Sequence, residues 1–376
     1  MSVYLDHAAT SPLRPEAREA FLRVADQGGN PSSVHGVGRK ARIVVEDARA
    51  AILNVLNATG QAGLVFTSGG TEANALALLQ ARDFDYVAVS KGEHDSVFAG
   101  ASAVGRPVET VPLTANGQAD LEALAGILAN TEGRPFVALM LANNETGVIS
   151  DIARAAAIVA AHDGWLHVDA VQALGKVDID FVGLGAQSLS LSAHKVGGGQ
   201  GVGALVYERD RVIKPLIVGG GQELGLRAGT ENVPGIAGFA AAVQACQGID
   251  EAVSAAQSAV EASLAALGVT ILGADAPRVP GILAMVQPHW VSNLQLIQMD
   301  MAGVCVSSGS ACSSGKVKSS RVVAAMGLPE MADKVLRVSS GWTTTPADWD
   351  RFYDAWSKGY EMYLKRHAKA PVKEQA

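Results

Sequence analysis

The sequence predicts an α/β protein with a large domain, built on a mostly parallel sheet between helices, followed by a smaller α/β domain. From Gly63 onward, short apolar runs alternate with helical patterns, which is typical of a parallel sheet covered by helices on both faces. The chain has 376 residues, of which 48% are hydrophobic and 18% are charged. Such a composition is that of a globular protein with a sizeable core.

Two amphipathic helices are predicted before the alternation begins, over Arg14 to Gln27 and over Val37 to Asn57, where apolar residues recur at helical spacing. The polar loop "GGNPSSVHG" separates them. Strands of the large sheet are predicted in "GLVFT", "YVAVS", "VETVPL", "FVALMLA", "WLHVDA", "SLSLSA" and "GALVYE", and helices in "TEANALALLQ", "LEALAGILA", "DIARAAAIVAAH" and "VPGIAGFAAAVQAC".

A second module is predicted to begin near Asp250. Its expected elements are a helix from Glu251 to Leu267, strands in "VTILG", "GILAMV", "VCVSS" and "VLRVSS", a helix in "NLQLIQMDMAG", and a closing helix from Thr345. We therefore expect a large domain over 1–249, a small domain over 250–368 and a frayed tail over 369–376. Whether the N-terminal segment packs with the small domain is left open.

Charge and cysteine content narrow the function classes. A net charge of −7 gives no electrostatic footprint for nucleic acid or an anionic membrane. The start "MSVYLDHAATSPL" lacks a basic segment followed by an apolar run, and no window approaches 18 apolar residues, so we expect a soluble cytoplasmic protein that binds a small solute. Three cysteines without a CxxC spacing argue against a disulfide framework and against a metal site.

Three short motifs carry candidate chemistry. "SLSLSAHKVGGGQG" ends an apolar strand on Lys195, "VFTSGGTEAN" is a strand, a glycine turn and a helix suited to a phosphate, and "HVDAVQ" puts Asp169 at a strand end with Gln172 nearby. Taken singly, Lys195 fits a surface lysine, and Thr71 and Asp169 fit helix caps. Together, a lysine, an acid and a phosphate turn are what pyridoxal 5′-phosphate requires.

The motifs together resemble those of a known family. "YLDHAATSP", "GNPSSVHGVGRKAR", "FTSGGTEANALAL", "LANNETGV", "HVDAVQALGK", "SAHKVGGGQGVGALV", "RAGTENVPGI" and "VSSGSACSSG" follow one another nearly from end to end. In this order they resemble the cysteine desulfurases of the class-V aminotransferase superfamily. The resemblance implies the pyridoxal-phosphate-dependent aminotransferase-like fold (fold type I), pyridoxal 5′-phosphate as cofactor, L-cysteine as substrate and a homodimer.

The resemblance also implies a role for each matching residue, although singly His94 fits a helix start, Arg337 a surface arginine and Asn144 a turn. Lys195 would form the Schiff base with the cofactor and, with His94 and Cys312, carry the catalysis. The implied cofactor-binding set is Lys195, Asp169 at the pyridinium nitrogen, Gln172 at the ring oxygen, His94 stacked on the ring, Asn144, and Gly70, Thr71, Ser192, His194 and the partner subunit's Thr230 at the phosphate. Arg337, with Asn144, would bind the substrate, holding its carboxylate.

Cys312 lies in "SSGSACSSGK", whose serines and glycines favour an exposed, mobile loop and a reactive thiol. Cys246 and Cys305, in apolar surroundings, are expected to be inert. The resemblance implies that Cys312 takes sulfur from L-cysteine, leaving L-alanine, and that its persulfide passes to an acceptor protein for iron–sulfur cluster assembly or tRNA thiolation. His94 is the expected proton relay.

Two departures from the family pattern and two rival functions remain open. Leu224 stands where relatives usually have arginine, and "SSGW" replaces a commoner pattern with leucine before the glycine; both are expected near the substrate pocket or the dimer contact. A selenocysteine lyase or another pyridoxal-phosphate-dependent C–S lyase would not need Cys312. An inactive cofactor-binding scaffold or regulatory subunit would not need the catalytic residues at all.

Overall fold

A seven-stranded sheet forms the centre of the computed structural model, which describes residues 2–309 and 319–367. Strand β1 (Val3–Tyr4) lies outside it. The sheet has the order β2-β8-β7-β6-β5-β3-β4. Neighbours from β7 to β4 are parallel, and β8 is antiparallel to both β7 and β2, so the predicted mostly parallel sheet is confirmed. Its strands are β2 (Ala62–Thr67), β3 (Tyr86–Ser90), β4 (Val108–Val111), β5 (Pro135–Met140), β6 (Trp165–Asp169), β7 (Ser188–Ser192) and β8 (Gly203–Glu208).

Helices cover both faces of this sheet because its strands are apolar on both sides. Along β2, Leu64 and Phe66 belong to one buried cluster while Val65 belongs to another, as the alternation of side chains in a strand requires. Helix α4 was not predicted from the sequence. The helices of this part are α1 (Pro15–Gln27), α2 (Gly36–Val55), α3 (Gly70–Gln80), α4 (Asp95–Ala103), α5 (Leu121–Asn130), α6 (Ile152–Ala160), α7 (Phe181–Leu184) and α8 (Val233–Gln244).

The remaining elements form a second, smaller α/β unit. Strands β9 (Thr270–Ile271), β10 (Ile282–Val286) and β12 (Val335–Ser339) pair antiparallel in the order β12-β10-β9. Strand β11 (Val304–Cys305) pairs in parallel with β1, so the start of the chain contacts this unit. The helices are α9 (Glu251–Ala266), α10 (Ser292–Met301), α11 (Arg321–Ala325) and α12 (Pro346–His367).

Parallel strands place their carboxyl ends at one edge of the large sheet. The residues after β3, β5, β6 and β7 therefore meet there, and the N-terminal segment crosses the same edge, where the Ser11 amide donates to the His194 carbonyl at 2.8 Å. The amide of Ala8 also donates to Oγ of Ser339 at 2.9 Å, which ties this edge to β12. No helix in the described ranges is both long and apolar enough to cross a membrane.

Candidate active site

A cavity of about 540 Å³ opens at this edge of the sheet. Its wall contains most of the residues predicted for the site, gathered from strand ends that are far apart in the sequence. Those predicted residues are Gly70, Thr71, His94, Asn144, Asp169, Gln172, Ser192, His194, Lys195 and Arg337. Thr230 does not line the cavity, and Cys312 lies outside the described residues.

Lys195 projects from a short 3₁₀ turn directly after β7, as predicted for a lysine at a strand end. Its Nζ donates to the carbonyl oxygens of Ala8 at 2.7 Å and Ala9 at 2.8 Å. Burial, with a smaller contribution from the positive charge of Arg337, lowers the pKa of Lys195 from 10.5 to about 8. A substantial share of this amine is therefore neutral near physiological pH and available as a nucleophile or a base.

Asp169 ends β6 and is buried, with its carboxylate held by two donors. Nδ2 of Asn74 donates to Oδ2 at 2.8 Å and the amide of Val171 donates to Oδ1 at 3.0 Å. Behind Asn74 lies His167, whose Nε2 is 3.1 Å from Asn74 Oδ1. Burial lowers the pKa of His167 from 6.5 to about 3, so this histidine is a neutral link in a buried network that fixes the Asp169 carboxylate.

Gln172 is buried in the turn after β6 with both ends of its amide occupied. Nε2 donates to the Ala8 carbonyl at 2.8 Å, and Oε1 accepts from Nζ of Lys176 at 2.8 Å. The Ala8 carbonyl thus accepts hydrogen bonds from both Gln172 and Lys195. Sequence reasoning missed Lys176 and the two alanine carbonyls, since backbone acceptors leave no signal in the side-chain pattern.

The amino end of α3 forms another part of the wall. A Cβ added at Gly70 would lie 2.9 Å from Cγ2 of Val171, so the helix start approaches this neighbour too closely for a side chain. Ser192 is buried beside it, and Nδ1 of His194 lies 3.2 Å from Oγ1 of Thr10. Burial first, then the charge of Lys195, lowers the pKa of His194 from 6.5 to about 4. The imidazole is therefore neutral near pH 7.

His94 is exposed and caps α4 while also lining the cavity, so the helix-start interpretation and the site interpretation both apply to it. The Ser96 amide donates to Nδ1 at 3.1 Å. Nδ1 is therefore the acceptor, and a neutral His94 carries its proton on Nε2. That arrangement leaves Nε2 as the ring position able to donate elsewhere.

Arg337 lies on β12 and is buried at the cavity wall. Nη1 donates to the Asn144 carbonyl at 2.9 Å and Nη2 to Oδ1 of Asp6 at 2.9 Å. Nε is buried and meets no partner within residues 2–309 and 319–367. Arg337 is therefore not a surface arginine, because it is buried and its guanidinium has partners in the fold. Its Nε–H can still donate to an anionic group.

The described residues on either side of the Cys312 segment, Gly309 and Ser319, both line the cavity. Next to Ser319, the hydroxyl of Ser320 donates to Oε2 of Glu145 at 2.5 Å, and Arg321 forms an ion pair with Asp95 at 3.0 Å. The flank that follows the segment is therefore bound to the cavity wall by two contacts, and Gly309 on the other flank lines the cavity.

The other two cysteines lie in different parts of the fold, and both are free and half-buried. Cys246 donates from Sγ to the Ala242 carbonyl at 3.2 Å, and burial raises its thiol pKa. Cys305 lies on β11 between β1 and the helices of the smaller unit. A raised pKa lowers the thiolate fraction of Cys246, which agrees with the expectation that it is inert.

Glu93 is a wall residue that the sequence analysis did not single out. It is 1% exposed, and neither carboxylate oxygen meets a hydrogen-bond partner in the part of the chain that the structure describes. Burial and the negative charge of Asp169 raise its pKa well above the usual range, outweighing opposite effects from the Met140 backbone and Arg321. Its position directly before His94 was the one available signal.

Neither departure from the family pattern borders the cavity. Leu224 is 68% exposed with φ +59°, in a loop where the neighbouring Glu223 pairs with Arg49 at 3.0 Å. Nε1 of Trp342 donates to the Pro12 carbonyl at 2.9 Å, and Arg14 lies over its ring. Neither Leu224 nor Trp342 lines this cavity, so of the two expected positions the dimer contact stays a prediction.

The family model for aminotransferase class-V matches residues 3–352. The chain belongs to the aminotransferase class-V family. Curated relatives of this class-V protein include the cysteine desulfurase of Cereibacter sphaeroides, 38% identical with 94% of each chain covered, and the IscS-like cysteine desulfurase of Mycobacterium tuberculosis, 36% identical over 92% of this chain and 93% of the relative.

Solved structures give the same result for the fold of the class-V chain. The NifS-like protein of Rickettsia africae ESF-5 aligns with a TM-score of 0.89 at 33% identity, covering 96% of this chain and all of the other. A second NifS-like protein aligns with a TM-score of 0.84 at 30% identity, covering 96% of this chain and 100% of that one. The resemblance inferred from the motifs and the predicted fold class are confirmed by these matches.

Proposed function

We propose that this class-V chain is a cysteine desulfurase that uses pyridoxal 5′-phosphate. The proposed reaction moves the sulfur atom of L-cysteine to the thiol of Cys312, giving L-alanine and a Cys312 persulfide. The observation that carries the proposal is the partly buried Lys195 amine, with a pKa of about 8, in one cavity with Asp169 and Arg337. The relatives named cysteine desulfurases support it.

The cavity residues fit the cofactor. A volume of about 540 Å³ has room for a small aromatic phosphate and an amino acid. At one end the start of α3 presents backbone N–H groups beside Gly70, where only a hydrogen fits, and the resemblance assigns the phosphate there. Within residues 2–309 and 319–367, Nε of Arg337 and the carboxylate oxygens of Glu93 have no hydrogen-bond partner, which supports a polar occupant of the cavity.

Each wall residue then has a task. Lys195 would hold the cofactor through its amine, Asp169 would keep a ring nitrogen protonated, and Gln172 would donate to a ring oxygen. The phosphate would be bound by Gly70, Thr71, Ser192 and His194, with Thr230 supplied by a second subunit of a homodimer. When bound, pyridoxal phosphate supplies an electron sink for the negative charge left at Cα of the amino acid.

The protein's own groups would move the protons. Arg337 would bind the substrate carboxylate, using the Nε donor that is unpartnered in the described ranges. The amine of Lys195 would remove the Cα proton and later return one to the carbon that becomes the methyl group of alanine. His94 would donate a hydrogen bond to the substrate thiol through its Nε2–H, because Nδ1 accepts from the Ser96 amide.

Sulfur transfer would take place between two thiols. The Cys312 thiolate would attack the substrate sulfur, so that one S–S bond forms as the substrate C–S bond breaks, with no external oxidant. Cys312 follows Gly309 by three residues, which span at most ~11 Å when extended. Since Gly309 lines the cavity, this connectivity supports Cys312 as the attacking group. We propose an acceptor protein for the persulfide sulfur, in iron–sulfur cluster assembly.

The test is direct. Purified protein loaded with pyridoxal 5′-phosphate is given L-cysteine and a thiol reductant, and alanine and sulfide are measured together. Equal amounts of the two are expected. Cofactor binding without alanine would contradict the proposed activity, and absence of cofactor binding would contradict the assignment of the cavity.

A further inference from the structure

The amide of Gln172 is held in one orientation by two independent contacts. The carbonyl of Ala8 can only accept a hydrogen bond, so it takes Nε2 at 2.8 Å. The ammonium of Lys176 can only donate, so it takes Oε1 at 2.8 Å. Both partners therefore select the same one of the two amide orientations, and among the described residues Lys176 alone contacts the oxygen end.

Lys176 itself has no carboxylate partner in the described part of the chain. Its Nζ donates to two oxygens, both of Gln172: the side-chain Oε1 and the main-chain carbonyl at 3.0 Å. Burial, then the charges of Lys195 and Arg337, lowers its pKa from 10.5 to about 7, and Cys246 opposes this weakly. A lysine in such surroundings costs folding energy, and its contacts go to one cavity residue.

We propose that Lys176 is a positioning residue that orients Gln172 so that the N–H side of its amide serves as the donor at the cavity. The inference rests on the proposed function, in which Gln172 donates to a ring oxygen of pyridoxal 5′-phosphate. Lys176 makes no contact with the cofactor in this scheme. Its effect passes through the hydrogen bond to Oε1.

The orientation matters because the two ends of a glutamine amide have opposite hydrogen-bonding character. An amide turned over would present its oxygen to the oxygen of the ring, replacing a hydrogen bond by a repulsion between two acceptors. A neutral Lys176 amine still carries two N–H donors and can keep the contact with Oε1, and the Ala8 carbonyl selects the same orientation in either state. A side chain without a donor leaves the oxygen end unsatisfied.

The decisive comparison uses Lys176→Met, which keeps the aliphatic length and removes the donor, beside Lys176→Arg, which keeps a donor. Lys358→Met, an exposed lysine on α12, is the matched control. The readouts are the dissociation constant of pyridoxal 5′-phosphate and the pH titration of its visible absorption band, which responds to a donor at the ring oxygen. We expect Lys176→Met to weaken cofactor binding about tenfold and to shift the titration.

A double-mutant cycle separates positioning from a general structural role. If Lys176 acts through Gln172, adding Lys176→Met to Gln172→Ala changes neither readout further, whereas independent effects add. Should Lys176→Met fold poorly, Lys176→Leu, which also lacks a donor, serves in the same cycle. Unchanged affinity and titration in a folded Lys176→Met variant, or additive effects in the cycle, would overturn the inference. A wild type that binds no cofactor would instead overturn the proposed function.

Discussion

Asp6, near the start of the chain, pairs with Arg337 on β12 at 2.9 Å, and Arg337 lines the cavity. The guanidinium is 3% exposed and the carboxylate 22% exposed, so this pair is partly shielded from water. Nε of Arg337 remains without a partner in the described ranges. A substrate carboxylate would therefore meet an arginine already oriented by Asp6 and by the Asn144 carbonyl.

We predict that Arg337→Lys weakens substrate binding far more than cofactor binding. An ammonium cannot reproduce the two-point contact of a guanidinium with a carboxylate, so kcat/KM for L-cysteine should fall about 100-fold, mainly through KM. Steady-state kinetics and the absorption spectrum of the bound cofactor measure the two effects. Arg278→Lys, in an ion pair with Glu261 on the smaller unit, is the matched control. An unchanged KM would exclude Arg337 as the carboxylate site.

We predict that Asn74→Leu weakens cofactor binding, although Asn74 has no role of its own in the proposed reaction. The variant removes the 2.8 Å donor to Asp169 and leaves that buried carboxylate with one partner fewer, so cofactor affinity should fall several-fold, by about 1–2 kcal/mol. Ser188→Ala is the control, because Ser188 contacts His167 at 2.9 Å and not Asp169. Equal affinity losses in both variants would point to general damage to the buried network.

We predict that Glu93→Gln makes the protein more stable at alkaline pH. The folded pKa of Glu93 is raised, so the folded state holds a proton that the unfolded state releases above about pH 4.5, and stability falls as pH rises above that value. The glutamine variant lacks this loss.

Urea midpoints at pH 5 and pH 8 measure the effect of Glu93→Gln. We expect similar midpoints for wild type and variant at pH 5, and a higher midpoint for the variant at pH 8. Glu109→Gln, at a half-buried position on β4, should show no such difference. Parallel pH dependence in wild type and Glu93→Gln would mean that Glu93 is ionised in the folded protein.

The fold was largely predictable because most strands of the large sheet are short apolar runs bounded by polar or glycine residues, although β4 and β7 also contain polar residues. Helix α4 was missed because "DSVFAGASA" mixes small and polar residues without a clear period, although the helix-start interpretation of His94 agrees with its place as the cap of α4. The pairing of β1 with β11 joins residues far apart in sequence, and two-residue strands carry no pattern of their own.

The sequence predicted the residues with a proposed chemical role of their own. It did not predict the residues that hold another side chain in place. His167 stands two residues before Asp169 on β6, a spacing that places both on one face, and this signal could have found it. No strand spacing of this kind marks Lys176 or Glu93. Lys176 matters through its contact with Gln172, and Glu93 through its burial beside the charge of Asp169. The domain boundaries, the dimer and the role of Thr230 stay predictions.

In the proposed reaction, the thiol of Cys312 receives the sulfur atom of L-cysteine. The test of this transfer is mass spectrometry of the cofactor-loaded protein after a single exposure to L-cysteine, comparing wild type, Cys312→Ala and Cys305→Ala, with alanine measured in the same samples. We predict a gain of one sulfur atom on the Cys312 peptide of the wild type and of Cys305→Ala, and neither sulfur gain nor alanine in Cys312→Ala. Alanine formed by Cys312→Ala at the wild-type rate would contradict sulfur transfer to Cys312.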